Sequence, residues 1–336
     1  MIPDFDALVL GGGLDGCASA AIAARNGMRV VLAENSGSLG GLATNGLYSY
    51  FPAREESSPL SAEVELFRAE LLAGLGFDPD VGKAGGPILY KEQKLKIVLA
   101  EILTGLGVRV LSHVFVSEPI IEEGLLHGFV LRGKTGGINL RASWVIDASG
   151  CARTSSSLGL GTTDTRKPVF LAIKMNGVDF RALTTSWMER GRGIPGQILG
   201  SLDASFAWSD HGISVSAKEL RLLGFLDDRE LIVHGLEAEP GSIDPFALSS
   251  LQMTLRQGAY KLLDHLRKKV PGFTDARIIH VAPKMDITGL RVPAGASPYA
   301  NLVFCGAGSA YENDRALGEG ILAAKKLTSA WQGGII

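Results

Sequence analysis

At 336 residues the chain exceeds the roughly 250–300 residues that one hydrophobic core organises, so two lobes are expected. Glycine is the compositional outlier: 43 residues, about 13% against a usual ~7%. No Gly-X-Y period makes this collagen, and 46% hydrophobic with only 20% charged residues is too apolar for disorder. The 33 basic and 35 acidic side chains leave a net charge of −2 and no basic stripe, which argues against a nucleic-acid partner. No run reaches the ~20 apolar residues that span a bilayer, and Asp4 and Asp6 stand where a signal peptide carries basic residues. Three scattered cysteines (Cys17, Cys151, Cys305) without CxxC or HxxxH spacing suit a reducing compartment and no structural metal. The expectation is a soluble cytoplasmic protein, without membrane insertion, acting on a small molecule, with homo-oligomerisation open.

Residues 6–10 (DALVL) form a short apolar run of the kind that fills a buried parallel strand. GGGLDG follows, then the Ala-rich CASAAIAARNG, a helix pattern closed by Gly27. Residues 29–33 (RVVLA) give a second strand ending at Glu34, which completes a unit the size of a βαβ crossover. Residues 59–76 and 92–106 read as helices, the second with Leu95, Val98, Leu99, Ile102, Leu103 and Leu106 on one stripe. Residues 108–118, 125–132 and 137–146 read as three successive strands, a β-meander, with turns at 122–124 and 133–137. Residues 144–150 (WVIDASG) carry an apolar strand into Ala-Ser-Gly. From about 160 to 290 the texture becomes long polar loops, with strand-like pieces at 168–175 and 230–236. One strong helix, 247–270, lies there between Asp244-Pro245 and Pro271-Gly272. Residues 301–305 (NLVFC) form another buried strand, and 316–331 a closing helix.

Gly11, Gly13 and Gly16 fit GxGxxG between a strand and a helix. The first glycine permits the tight turn, the second lets backbone approach a pyrophosphate, and the third lets helix and strand pack closely. Phosphate charge would then face the positive end of the helix. Glu34, 18 residues beyond Gly16, can accept ribose hydroxyls and would repel a 2′-phosphate. NADP is disfavoured, while FAD and NAD both survive this step.

The segments that follow resemble the glutathione-reductase-type FAD-binding fold. SLGGLATNG, directly after the acidic residue, is similar to that fold's double-glycine loop at Gly40, Gly41 and Thr44. VIDASG (145–150) resembles its Ala-Thr-Gly turn, with Ser149 in the Thr place. NLVFCGAG…ALGEGILAAKKL (301–327) resembles its closing motif, where backbone meets the ribityl chain and a helix N-terminus faces the flavin. With 95–116 and 244–278, these segments resemble the broad group of FAD-dependent oxidoreductases. The resemblance implies an α/β fold: a doubly wound Rossmann-like FAD-binding domain (1–50, 92–160 and 295–336) with a β-meander, and an inserted α+β substrate domain (51–91 and 161–294). It implies FAD held by Gly11, Gly13, Leu14, Asp15, Gly16, Glu34, Asn35, Gly40, Gly41, Leu42, Ala43, Thr44, Val116, Ala148, Ser149, Gly150, Gly306, Ala307, Gly318 and Ile321, with Val116 flanking the adenine. Two places depart from the pattern. Ala307 stands where the closing motif carries an acid, and PKMDITGLR (283–291) keeps only Arg291 of an Arg-Ser-Arg segment.

Candidates for chemistry each have a plainer reading. Tyr48, four residues past Thr44, could orient substrate or donate a proton, or pack with Tyr50 and Phe51. Lys284 and Arg291 could clamp a carboxylate, or bridge on the surface. Glu312, Asp314 and Arg315 precede the last helix; one of the two carboxylates could supply the missing ribityl contact, or the group could cap that helix. Cys17 and Cys305 read as packing. The histidines form no ligand spacing, and His211, in a Gly-flanked loop, is the one offered as catalytic. The implied activity is dehydrogenation or oxidation of a small organic substrate, with hydride passing to flavin N5. The alternatives are an NAD(P)H-using flavin reductase or monooxygenase, and a non-catalytic flavin-binding protein.

Overall fold

A computed structural model of the chain describes residues 4–52, 62–79, 87–150, 153–160, 163–164, 168–183, 188–190, 196–287, 290–291, 297, 299–305 and 313–332. Strand β1 (Phe5–Leu10) is apolar on both faces, and both are covered. Ala7 and Val9 join one buried cluster, Leu8 and Leu10 another. Helix α1 (Leu14–Arg25) leads to β2 (Val30–Ala33), parallel to β1 with Ala7 opposite Val30. Helices α2 (Ala62–Leu75) and α3 (Glu92–Gly105) follow, then β3 (Arg109–Leu111), parallel to β2.

The expected single strand over 108–118 is two strands. The chain breaks at His113, whose φ is +58°, and β4 (Phe115–Glu122) leaves the parallel sheet to pair with β5 (Leu125–Gly133). Strand β6 (Gly136–Asp147) belongs to both arrangements. Its first half, Gly136–Arg141, is antiparallel to β5; its second, from Ala142, is parallel to β1. The sequence GGINLRASWVID carries the change, half-exposed where the ribbon reaches outward and continuously buried from Val145 to Asp147. A late strand, β12 (Leu302–Phe304), pairs parallel with that buried end.

The layers depart from a doubly wound arrangement. Helices α1, α2 and α3 and the closing helix α5 (Asn313–Gln332) share one cluster with Ala7, Val9, Val30, Leu32 and Ile146. Leu8, Leu10, Val31 and Val145 pack instead on Leu126, Phe129, Leu131 and Leu140 of the meander. A sheet thus covers the face where a second helical layer was expected. Helix α5 seats on α1 through Gly320, where a Cβ would overlap the Asp15 carbonyl, and through the Ser19 hydroxyl, which donates to the carbonyls of Asp15 and Gly320 at 2.9 Å each. Gly320→Ala is expected to cost about 1–3 kcal/mol by forcing these helices apart. A thermal midpoint equal to wild type would refute that crossing.

The stretch read as polar loops contains two long strands, β8 (Gln197–Asp210) and β9 (Ile213–Phe225). With β7 (Val169–Asn176), β10 (Glu230–Ala238) and β11 (Arg277–Val281) they build an antiparallel sheet in the order β8-β9-β10-β7-β11. Ile198, Leu202, Ala204 and Phe206 alternate inward on β8, as a half-buried strand requires, across a bulge after Asp203. Helix α4 (Pro245–Lys269) lays Leu251, Leu255, Leu262 and Leu266 on this sheet, and Asp244 caps it by accepting from Phe246 N and Ala247 N. The two residues Asp286–Ile287 pair with β7 at Phe170 and Val169.

Candidate active site

Three glycine turns meet at the carboxyl ends of β1, β2 and β6, where open α/β sheets bind ligands. Gly11 turns with φ +109°, and a Cβ on it would overlap the Ala148 carbonyl. A Cβ at Gly16 would overlap the Gly11 carbonyl, so the third glycine is what lets α1 seat on the end of β1. Gly13 begins α1 without a side-chain cap and bridges to Gly40, whose N–H donates to the Gly12 carbonyl at 2.7 Å. Gly40 and Gly41 have positive φ, and Thr44 ties their loop back by donating to Leu39 O at 2.7 Å. In the third turn Ala148 N donates to Leu10 O, Ser149 N donates to the Asp147 carboxylate, and Gly150 has φ +72°. Leu14, Ala43, Ala148 and Ile321 are buried around these turns, with Leu42 and Gly318 half-buried.

Glu34 is 5% exposed. One of its oxygens accepts from Gly12 N and the other from Ser36 N, both at 2.7 Å. Each oxygen retains a lone pair for a ribose hydroxyl. His113 N donates to Ser36 O and Val114 N to Glu34 O, which brings the β3–β4 corner, two residues from Val116, beside Glu34 and Asn35.

Asp15 behaves differently from its neighbours. It is buried in the first turn of α1, and burial pushes its carboxyl up to about 6 against hydrogen bonds from the backbone N–H groups of Gly16 and Asp15 itself and the nearby Lys284 charge. Those amides are the donors a helix start offers to phosphate. The glycine cradle fits a dinucleotide diphosphate; the Asp15 charge opposes it.

A second polar group lies beyond the double-glycine loop. Leu47 has φ +62°, a conformation that costs a non-glycine residue on the order of 1 kcal/mol or more. It is held by Leu47 N donating to Thr44 O and by His234, whose Nε2 lies 3.0 Å from Leu47 O. Burial, then the Arg221 charge, pushes the His234 imidazole down to about 4, so the neutral ring donates through Nε2. The Tyr48 ring stands edge-on to His234 at 4.6 Å, and its hydroxyl donates to Asp286 at 2.6 Å. Arg221 donates to the Tyr50 hydroxyl at 2.6 Å. Lys284 N donates to Asn45 O, which fastens the 284–286 segment to the double-glycine loop.

The predicted Tyr48 is therefore in the group, and Lys284 borders it with an exposed side chain. His211 is not brought there. It occupies the tip of the β8–β9 hairpin at φ +48°, its side chain 89% exposed beside Asp210. Arg291 contributes backbone pairing with Thr163; its side chain, Gly306, Ala307 and Glu312 lie outside the described residues, as does the Asp314 side chain. Arg315 pairs with Glu319 at 2.9 Å within α5. Cys17 and Cys305 are buried, and burial raises both thiols, the reverse of an activated nucleophile. Sequence reasoning missed Asp286, His234 and Arg221; the signal was a lone acid in KMDI and a histidine inside the apolar LIVHGL. Among the described residues no cluster of His, Cys, Asp and Glu could hold a metal, and no helix is long and apolar enough to cross a membrane.

The sequence matches the family model described as FAD dependent oxidoreductase over residues 6–287. No curated protein matches it. Among solved structures, a geranylgeranyl bacteriochlorophyll reductase-like protein from Thermoplasma acidophilum superposes with TM-score 0.57 at 16% identity, over 98% of this chain and 79% of that one. Aklavinone-11 hydroxylase, in complex with FAD and aklavinone, gives 0.60 at 14% over 99% of this chain and 64% of that one. The p-nitrophenol 4-monooxygenase of Pseudomonas putida gives 0.58 at 17% over 100% and 81%. At these identities the likeness is one of fold.

Proposed function

Given that the chain belongs to the family of FAD-dependent oxidoreductases, we propose that it dehydrogenates or oxidises a small organic molecule at the Tyr48 side of the double-glycine loop. The observation that carries this reading is the meeting of three glycine turns beside Glu34. The turns at Gly11–Gly16 and Gly40–Gly41 would hold the diphosphate, Glu34 the adenosine ribose, and Ala148–Gly150 the ribityl side. FAD, when bound, supplies the two-electron acceptor. The chain supplies a floor of backbone N–H groups and a phenol fixed in direction by Asp286 and His234. β7 and Asp286–Ile287 pack beside that phenol, whose residue is half-buried.

Reconstitution tests this directly. The protein mixed with FAD and freed of excess flavin is expected to retain the visible flavin band, and a colourless product would end the proposal. Glu34→Ala is expected to weaken FAD binding by about 10- to 100-fold, the loss of hydrogen bonds to a charged acceptor worth ~1.5–3 kcal/mol. Unchanged affinity would remove Glu34 from the ribose site.

A monooxygenase or reductase reading draws support from the hydroxylase and monooxygenase folds the chain resembles. It requires NADH or NADPH to bleach the bound flavin within ordinary turnover times, on the order of 1 s or less. A flavin bleached by neither pyridine nucleotide but by an organic substrate favours the first reading.

A further inference from the structure

Asp286 is 5% exposed, and its carboxylate is used on one side only. One oxygen accepts the Tyr48 hydroxyl at 2.6 Å; the other, Oδ1, is buried and has no hydrogen-bond partner among the described residues. A buried acceptor left unmade costs on the order of 1–3 kcal/mol, more when it is charged, and such oxygens are met by a water or a ligand. The surroundings are built to hold it. Asp286 is pinned to β7 opposite Phe170, and two residues earlier Lys284 N is bonded to Asn45 O. Tyr48 is fixed by the left-handed turn at Leu47 and the His234 ring. This oxygen therefore sits where the second sheet meets the double-glycine loop, at the place argued above for substrate.

We propose that Asp286 is a substrate-binding residue whose Oδ1 accepts a hydrogen bond from a hydroxyl or ammonium group of the substrate, while its other oxygen stays on the Tyr48 hydroxyl. The site then selects alcohols or amines and rejects carboxylates. The polar groups facing the pair agree with this. Arg221 is engaged by Tyr50, and Lys284, exposed, acts on Asp286 from the outer side. His234 is neutral and spends its Nε2 proton on Leu47 O. The inference rests on the FAD reading, which puts substrate beside Tyr48 and supplies the bound flavin as reporter.

Three one-ring probes that differ in the polar group, benzyl alcohol, benzylammonium and benzoate, test it on FAD-loaded protein by their perturbation of the visible flavin spectrum. In wild type the alcohol and the ammonium ion are expected to bind, and benzoate to bind at least about 10-fold more weakly, as a charge-assisted hydrogen bond implies. Asp286→Asn should erase the ammonium preference while FAD affinity stays within about twofold. Tyr48→Phe, which leaves Oδ1 in place, should keep the preference. The proposal is overturned by benzoate binding as well as benzylammonium, by an unchanged preference in Asp286→Asn, by loss of the preference in Tyr48→Phe, or by no response to either donor probe. FAD affinity is measured first on each protein, so failure to bind flavin is scored against the FAD reading and failure of selection against Asp286.

Discussion

Lys174→Met is expected to be among the most destabilising single changes in the protein, at about 3–5 kcal/mol. The Lys174 ammonium lies 2.7 and 3.0 Å from the two oxygens of Glu92, with both side chains under a tenth exposed. Glu92 begins α3 on the side of the parallel sheet and Lys174 lies in β7 of the antiparallel sheet, so the pair joins the two layers. Removing the cation leaves a carboxylate buried without its partner, and that stranded charge, more than the lost attraction, sets the magnitude. Relief from nearby is limited. Lys91 is committed to Asp228 and Glu230 at 2.6 and 2.7 Å and lies over the Phe225 ring. At about 2 °C per kcal/mol, the low end for chains somewhat shorter than this one, the thermal midpoint should fall by roughly 6–10 °C. Adding Glu92→Leu should restore most of the loss, because an apolar pair of similar volume carries no desolvation cost. A single variant that melts with wild type would show that the pair is not buried against its surroundings.

The second large effect concerns cofactor loading. Asp15→Asn is expected to tighten FAD binding by about 10- to 100-fold above pH 6, within the ~4 kcal/mol that two charges 4 Å apart exchange at an effective dielectric of 20. The folded carboxyl stands at about 6 against an ordinary 3.8. The folded protein therefore holds this proton more tightly than the unfolded chain does. Stability from this group is complete below the ordinary value and is lost as pH rises toward 6. A diphosphate brought to the same helix start favours the protonated form further, so binding takes up a proton and affinity falls as pH rises through this range. Lys284 works against the shift and Glu319 of α5 adds to it. Flavin-fluorescence titrations across pH decide the matter: wild type should lose affinity with rising pH while Asp15→Asn stays flat. Equal affinities with the same slope would place the diphosphate away from Asp15.

The glycine turns at the ends of β1, β2 and β6 were readable because local rules decide them. Gly11, Gly16 and Gly40 stand where a side chain would collide with backbone or with Thr44, and that constraint surfaces as glycine whatever the rest of the chain does. Helix α3 was readable from its apolar stripe, and α4 from the Asp244-Pro245 and Pro271-Gly272 that bound it. The antiparallel sheet was not. Strands β8 and β9 mix serine, aspartate and lysine with short apolar alternation, and their pairing shifts register at Asp203–Phe206. The split of 108–118 turns on one residue, His113, whose positive φ no composition announces. Asp286 was missed because its meaning lies in Tyr48, 238 residues away.

Strand β6 has a further consequence. Side-chain direction alternates along a strand, yet Leu140 and Ala142 share a buried cluster with Val145 while Trp144 and Ile146 enter the other, so the facing changes where the strand passes from the ribbon into the parallel sheet. The strand that packs Leu140 on the meander also carries Asp147, which accepts from Ser149 N and Thr154 N. The two sheets share one continuous backbone, so a shift of the meander along it would carry through to the Ala148–Gly150 turn.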